Sequence, residues 1–164
     1  MGSEQAGALS LIIRQARMVS RQIERAVTGL TEEQADFRFG EGIMSVRDTL
    51  VHLADNCLAL SAELEGRKHD FGAWRPSGEG LVHLLREWGE LREQALAKVA
   101  ERLRGVDLDA LMKVSFATWP GWKVLTEWVV THDAYHLGQI CALRLAQCPD
   151  WDMYTVYDPD EKSE

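Results

Sequence analysis

Two histidines four residues apart, His132 and His136, are the residues of this chain with the clearest spacing for chemistry. In an α-helix, residues i and i+4 project from the same face, about 40° apart around the axis. Both imidazoles can therefore reach one metal ion. The same helix face carries Leu125, Trp128 and Val129, and an unpaired polar ring among apolar side chains is costly. The alternative to a metal site is a pair of buried histidines that hydrogen-bond to their neighbours.

Two imidazoles do not complete a site, because metal centres of this type use three or four protein ligands. Besides the acidic residues, the candidates for the third ligand are His52, His69, His83, Cys57 and Cys141. Cys141 is expected on the far side of its helix, His83 is expected to be exposed, and His69 lies in a charged loop where we expect solvation. Cys57 suits a small core residue. His52 lies about 120° from the centre of its helix's apolar stripe, which fits either a solvated side chain or a ligand at the rim of a pocket.

Other polar residues are close enough in sequence to orient such ligands. A ligating imidazole usually donates its second N–H to an acceptor. The residues within helical reach of that role are Asp48, Asp55, Asn56, Asp133 and Gln139. For each acid, the alternative is an ordinary solvated helix face. Tyr135 lies beside the histidines and could donate its hydroxyl to a bound ligand, so the candidate catalytic residues are Tyr135, Gln139 and Asp133.

The hydrophobic pattern predicts four helices that position these residues. Apolar residues recur at helical spacing, and four prolines mark the breaks. After a flexible start, the helices are expected over about 7–28, 45–65, 80–104 and 123–147. Ser45 is a good N-cap for the second helix, with Asp48 three residues later. No alternating pattern predicts a strand.

Four long amphipathic helices without strands predict an all-α fold, a four-helix bundle in a single domain that spans residues 1–164, with its core at about 7–147. An acidic tail follows from Cys148. It carries Trp151, Tyr154 and Tyr157, so part of it should pack on the helices. Trp119 and Trp122, before the fourth helix, suit either packing of the turn or the wall of a pocket.

Composition limits the class of partner. The chain has 164 residues, 18 Lys plus Arg and 26 Asp plus Glu, a formal net charge of −8. This charge disfavours binding to nucleic-acid phosphates and to anionic membrane surfaces, and no apolar run approaches the roughly 20 residues of a membrane span. The first residues do not have the pattern of a secretory signal, and three cysteines are an odd number. We therefore expect a cytoplasmic protein with reduced thiols.

Three motifs together resemble the DinB/YfiT-like superfamily. They are SVRDTLVHLAD at 45–55, WPG at 119–121 and HDAYHLGQI at 132–140. The resemblance covers nearly the whole chain and implies a four-helix bundle that holds a divalent metal ion through His52, His132 and His136. Relatives with assigned activities include thiol-cofactor-dependent S-transferases and isomerases, and related members often form dimers. The chain departs from many relatives at Leu137, where they carry a basic or second imidazole residue.

A site of three neutral imidazoles leaves coordination positions open. An ion there can lower the pKa of bound water or hold a thiol as thiolate. Zn or Ni is favoured, with Fe or Mn as alternatives. The resulting hypothesis is a metal-dependent transferase or hydrolase that acts on a small molecule, with a low-molecular-weight thiol as a candidate co-substrate. The alternative is a non-catalytic dimeric bundle that binds a metal or a ligand.

The last predicted helix is apolar on a second side as well. Val130, Leu137, Cys141 and Leu145 form a stripe roughly opposite His132. Because an outward apolar stripe must be covered, either the C-terminal tail folds back over it or a second subunit packs there. The resemblance favours the second subunit, and we therefore expect a homodimer.

Overall fold

A computed structural model describes the backbone of residues 2–157 and the side chains of residues 6–157. Within that range the chain is largely helical, as predicted. The elements are α1 (Gly2–Val27), α2 (Glu32–Asp36), α3 (Val46–Leu64), α4 (Leu81–Arg102), β1 (Leu111–Val114), β2 (Ala117–Pro120), α5 (Gly121–Thr126), a π-helical turn (Glu127–Thr131), α6 (His132–Gln147) and a 3₁₀ turn (Met153–Val156). The expected flexible start was wrong, because α1 already begins at Gly2.

The ends of α3 and α4 are set by different contacts. Ser45 caps α3 as predicted: its hydroxyl accepts the Asp48 backbone N–H at 3.1 Å, and the Asp48 carboxylate accepts the Ser45 N–H at 2.8 Å. Gly80 precedes α4 at φ +89°, a conformation that favours glycine, and provides no side-chain cap. Glu32 of α2 replaces that cap by accepting the Leu81 N–H at 2.9 Å, so α2 is joined to the start of α4.

The long helices pack so that α1 and α3 each contact both α4 and α6. They enclose two apolar clusters that follow one another along the helices. The first contains Ile12, Leu60, Leu96, Val99, Leu125 and Val129. The second contains Ile23, Leu50, Leu84, Trp88, Leu137 and Ile140. Burial of each such side chain stabilises the fold by about 1.5–3 kcal/mol.

A buried polar layer separates the two apolar clusters. On α3, on α4 and along the continuous stretch from α5 to α6, the residues of the first cluster and those of the second lie on opposite sides of one polar position. On α1 the polar position directly follows Val19, the first residue of the second cluster. These positions are Ser20 on α1, Asn56 on α3, Arg92 on α4 and Asp133 on α6, and all four side chains are buried. We call these four residues the polar layer.

The connection between α4 and α5 contains a hairpin, so the expectation of no strands was wrong. β1 and β2 pair antiparallel, with Leu111 opposite Pro120 and Val114 opposite Ala117. Each strand has only four residues and their burial does not alternate regularly, which is too little for a recognisable strand pattern.

The fourth predicted helix is continuous from Gly121 to Gln147, but residues 127–131 form a π-helical turn. A π turn is wider than an α turn and changes the register of the face that follows it. After this turn Asp133 and His136 are buried, whereas the His132 side chain is 29% exposed. His136 therefore follows the buried face of Leu125 and Val129, as predicted, and His132 is only partly buried.

The second apolar stripe of α6 is covered within the chain. Leu137 and Cys141 belong to the second apolar cluster together with Ile23 of α1 and Val156 of the tail, and Trp151 packs against it. Arg25 donates to the Val156 carbonyl at 3.0 Å and holds the tail in place. This is the covering-tail alternative, so the stripe itself no longer indicates a second subunit.

The tail is only partly packed down. Trp151 and Val156 pack on the second apolar cluster, as expected for part of the tail, whereas Tyr154 and Tyr157 are exposed. Residues 158–164 lie outside the described part. None of the helices in the described range combines the length and the apolar character needed to cross a membrane.

Candidate metal centre

Three imidazoles converge where α3 meets the start of α6. His52 comes from α3, and His132 and His136 come from the first two turns of α6. The Nε2 atoms of His52 and His132 lie 3.0 Å apart, and the three ring centroids are 4.6–5.1 Å from one another. One donor atom from each residue lies within 4.8 Å of the other two, so this histidine cluster could hold a metal ion.

The donor set fits a divalent ion. Two nitrogens that each lie about 2.1 Å from one ion, at angles between octahedral and tetrahedral, are about 3.0–3.4 Å apart. The His52–His132 separation of 3.0 Å falls at the lower end of that range. Within the described residues, no other group of three histidine, cysteine or acidic side chains has this geometry. Three imidazoles also leave room for further ligands.

Three predicted helper residues contact the α6 histidines. The His132 Nδ1 atom lies 3.2 Å from the Asp133 carboxylate and 3.4 Å from the Asn56 amide nitrogen. The closer carboxylate can only accept a hydrogen bond, so it favours the tautomer in which Nδ1 carries the proton and Nε2 keeps its lone pair. The His136 Nδ1 atom lies 2.8 Å from the Gln139 carbonyl oxygen, which again leaves Nε2 free. The same Gln139 donates from its amide nitrogen to the Tyr135 hydroxyl at 2.8 Å.

Burial favours the neutral form of His52 and His136 by lowering the pKa of each. It lowers the pKa of His136 to about 4, and the neighbouring His132 adds to this effect against the Gln139 hydrogen bond. Burial also lowers the pKa of His52, and His132 again contributes. Neutral imidazoles offer their lone pairs at neutral pH, which is the form in which histidine binds metals.

The π turn before His132 is anchored by the polar layer. Arg92 donates to the carbonyl of Val129 within the turn, forms an ion pair with Asp133 at 2.7 Å and donates to the Ser20 hydroxyl at 3.3 Å. On the other side, the Trp128 indole donates to the Asn56 side chain at 2.8 Å. The turn that sets the direction of His132 is therefore joined to α1, α3 and α4.

Arg92 is a functional residue that the sequence analysis missed. It lies four residues after Trp88 and three before Ala95, so it follows the apolar stripe of α4. A charged residue at a core position is a recognisable signal, because it must find a buried partner. Its partner Asp133 was identified only as one of several acids near the histidines.

Other polar residues singled out from the sequence have their contacts away from the cluster. Asp48 caps α3, and Asp55 accepts from the Gly72 N–H at 2.7 Å and lies 2.8 Å from His69 Nε2, so neither acid orients a histidine of the cluster. His69 was expected to be solvated, yet its side chain is only 17% exposed. His83 was expected to be exposed and is half-buried, with its Nε2 3.1 Å from the Ser77 hydroxyl.

The cysteines and Tyr135 stand apart from the cluster. Cys57 is a buried core residue, as expected, and burial raises the pKa of its thiol to about 12. Cys141 is packed in the second apolar cluster. Tyr135 is exposed at the rim, where its ring centroid lies 5.1 Å from that of His136. Its hydroxyl is therefore beside the histidine cluster rather than within it.

A cavity of about 250 Å³ opens beside His132. It is lined by Asn56, Phe71, Phe116, Trp119, Glu127, Trp128 and His132. Trp119 therefore lines this cavity, whereas Trp122, which was given the same two interpretations, does not and is exposed. Phe71, Phe116 and Glu127 were not singled out from the sequence. We call this cavity the aromatic pocket.

The sequence of the chain was compared with models of known protein families. A model of the DinB superfamily matches residues 15–140. That range is more than half of the chain and contains all three histidines of the cluster. The chain belongs to the DinB superfamily. Among curated proteins, none matches it. This match confirms the family resemblance that the three sequence motifs indicated.

Proposed function

We propose that this DinB superfamily protein binds one divalent metal ion through His52, His132 and His136 and acts as a metal-dependent transferase or hydrolase on a small molecule. The observation that carries the proposal is the convergence of three imidazole donors, within 4.8 Å of one another, beside an aromatic pocket. Zn or Ni is the first choice of ion, with Fe or Mn as alternatives. A low-molecular-weight thiol is the candidate co-substrate.

Each part of the site has a role in this proposal. A bound ion would supply Lewis acidity and lower the pKa of a coordinated water or thiol. Asp133 and Gln139 hold the α6 imidazoles in the tautomer that presents Nε2. Tyr135 can reach a bound ligand only from the rim, where Gln139 fixes its hydroxyl. The aromatic pocket places mainly apolar side chains beside His132.

The alternative function is a non-catalytic protein that binds a metal or a ligand. Its support is that Cys57 is buried and that burial raises the pKa of its thiol, so this cysteine is not an activated nucleophile. A cytoplasmic location and a homodimer complete the proposal, and the homodimer is supported by the family resemblance alone. Light scattering over a concentration series tests it: a strict monomer at tens of micromolar would exclude the dimer.

Metal analysis of the purified protein is the direct test. We expect about one equivalent of a divalent ion in the wild type and a loss of it in His52→Ala, His132→Ala and His136→Ala. His83→Ala is the matched control and should retain the ion, because His83 binds Ser77 away from the cluster. If all three cluster variants keep the wild-type metal content, the proposed site is wrong.

Turnover is tested separately from binding. The Zn-loaded and Ni-loaded proteins are incubated with a panel of electrophiles and common bacterial thiols, and His132→Ala serves as the blank. Thiol consumption that requires the intact cluster supports the transferase. A metal-replete protein that consumes none of the panel, and hydrolyses none of it, supports the binding alternative.

A further inference from the structure

We propose that the aromatic pocket binds the flat, positively charged end of the substrate, an aromatic or similarly planar group that carries a cation next to Glu127. This pocket assignment rests on the proposed function in one respect: the reacting end of the substrate would face the histidine cluster. The consequence is a substrate class: arylalkylamines and related cationic aromatic molecules, rather than acids.

The size and walls of the pocket suit one or two rings. A cavity of about 150 Å³ can take up benzene, and this one is larger, at about 250 Å³. Phe116 packs edge-to-face against Trp128, with ring centroids 4.9 Å apart, and lies 6.1 Å from the Trp119 ring. Flat surfaces at different angles provide stacking and edge contacts to a planar ligand.

The charge of the lining favours a cation. Among the described residues, Glu127, an exposed residue at the edge of the pocket, is the one acidic residue that lines it, and no lysine or arginine lines it. Aromatic faces also attract cations. The Trp119 ring already shows this property, because the Lys123 ammonium lies 4.4 Å from its centroid without lining the pocket. An ion at the histidine cluster would repel a second positive charge, which places the charged end of the ligand at Glu127.

The pocket is held by contacts that do not depend on a ligand. The Trp128 indole donates to Asn56, and both side chains are buried. Phe71 lies on a loop. The backbone of this loop is fixed at the next residue, because the Gly72 N–H donates to the Asp55 carboxylate of α3. His69 joins the same carboxylate and packs edge-to-face on Phe71, with centroids 4.9 Å apart. Asp55 is therefore a positioning residue for the pocket wall.

Binding of three probes of nearly equal shape tests the charge preference. Isothermal titration of the Zn-loaded protein at pH 7 uses 2-phenylethylamine, 2-phenylethanol and 3-phenylpropanoate. We expect the ammonium to bind about fivefold more tightly than the alcohol and the carboxylate to bind most weakly. Glu127→Gln should weaken the ammonium about fivefold and leave the alcohol within about twofold. Glu101→Gln is the matched control, an exposed carboxylate of α4, and should change neither.

The position of the probe is read from the indole N–H signals of ¹⁵N-labelled tryptophan, with Trp128 assigned through Trp128→Phe. A shift of the Trp128 signal on addition of 2-phenylethylamine supports the proposal. Tightest binding of the carboxylate, no binding of any probe, an unchanged ammonium affinity in Glu127→Gln or an unmoved Trp128 signal would each overturn it. Metal content is measured on the same samples. If the protein contains the metal but binds no amine, only the pocket assignment is disproved. If the protein binds the amine but has not taken up the added Zn, only the proposed metal centre is disproved.

Discussion

The polar layer and the histidine cluster lie side by side, but their polar groups are paired in different ways. In the polar layer, the Arg92 and Asp133 side chains are each 2% exposed and neutralise one another at 2.7 Å. Their remaining hydrogen-bonding atoms are directed at Ser20, at the Val129 carbonyl and at His132. In the histidine cluster, the partly buried His52 and His132 and the buried His136 instead face one another, with helper residues on the Nδ1 atoms of His132 and His136.

This difference separates a structural polar group from a binding one. The polar layer is complete without a ligand, because each charge already has an opposite charge and hydrogen bonds. The histidine cluster brings together nitrogen lone pairs that hydrogen bonds can satisfy only in part, since one imidazole N–H cannot serve two others. Asp133 belongs to both regions, so the closed layer supplies the rigid support on which the open cluster depends.

Arg92→Met should have the largest effect, a loss of about 3–5 kcal/mol in the free energy of unfolding, because it leaves the Asp133 carboxylate buried without its partner. Urea denaturation monitored by circular dichroism measures it. Arg17→Met is the matched control: Arg17 pairs with Glu93 at 2.8 Å on the exposed surface, and its loss should cost less than about 1 kcal/mol.

Arg92→Lys keeps the charge but not the fork that reaches three partners, and we expect it to fall between the two methionine variants. The comparison between the two regions would fail if Arg92→Met were as stable as Arg17→Met, since the polar layer would then not be the rigid support inferred here.

Removal of the metal should have the next largest effect. The cluster joins α3 to α6, and an ion that binds only the folded state stabilises it by about 2.7 kcal/mol at a free concentration 100 times its Kd. Chelation should therefore lower the melting temperature, and added Zn or Ni should restore it. His132→Ala should melt at the same temperature with and without chelator. An unchanged wild-type curve after verified metal removal would contradict a metal that bridges these helices.

The regions that could be predicted from the sequence are those with local causes. Helical spacing of apolar residues predicted the four long helices, and the Ser45 cap of α3 followed from residue types three positions apart. Spacing alone also paired His132 with His136. It left His52 as one of several candidates, because the meeting of α3 and α6 depends on tertiary packing, and the family resemblance was needed to select it.

The features that were missed have non-local or weak causes. The π turn at 127–131 replaces an α turn without a sequence mark such as proline, and Arg92 donates to the Val129 carbonyl within it. The hairpin strands are too short to show alternation. Phe71 and Phe116 lie on connections far apart in sequence, where no periodicity indicates which side chains will meet.

Gln139→Leu should have a smaller effect than Arg92→Met or metal removal, and it tests the support of the histidine cluster. Its carbonyl oxygen, 2.8 Å from His136 Nδ1, fixes the tautomer and the ring direction of one ligand. Loss of such a partner usually weakens metal binding by about 10–100-fold, while the fold should persist because Gln139 lies near the surface. Competition with a chromophoric chelator measures the affinity.

Tyr135→Phe, studied in the same assay, separates the effect of the Gln139–His136 contact from that of the Gln139–Tyr135 contact. This variant removes the hydroxyl that accepts from the Gln139 amide but leaves the contact between Gln139 and His136 intact. Its metal affinity should therefore stay closer to the wild type than that of Gln139→Leu. If both variants bound the ion as tightly as the wild type, His136 would need no support from the rim. The burial of its ring and the closed polar layer beneath Asp133 would then be enough to hold the cluster open for an ion.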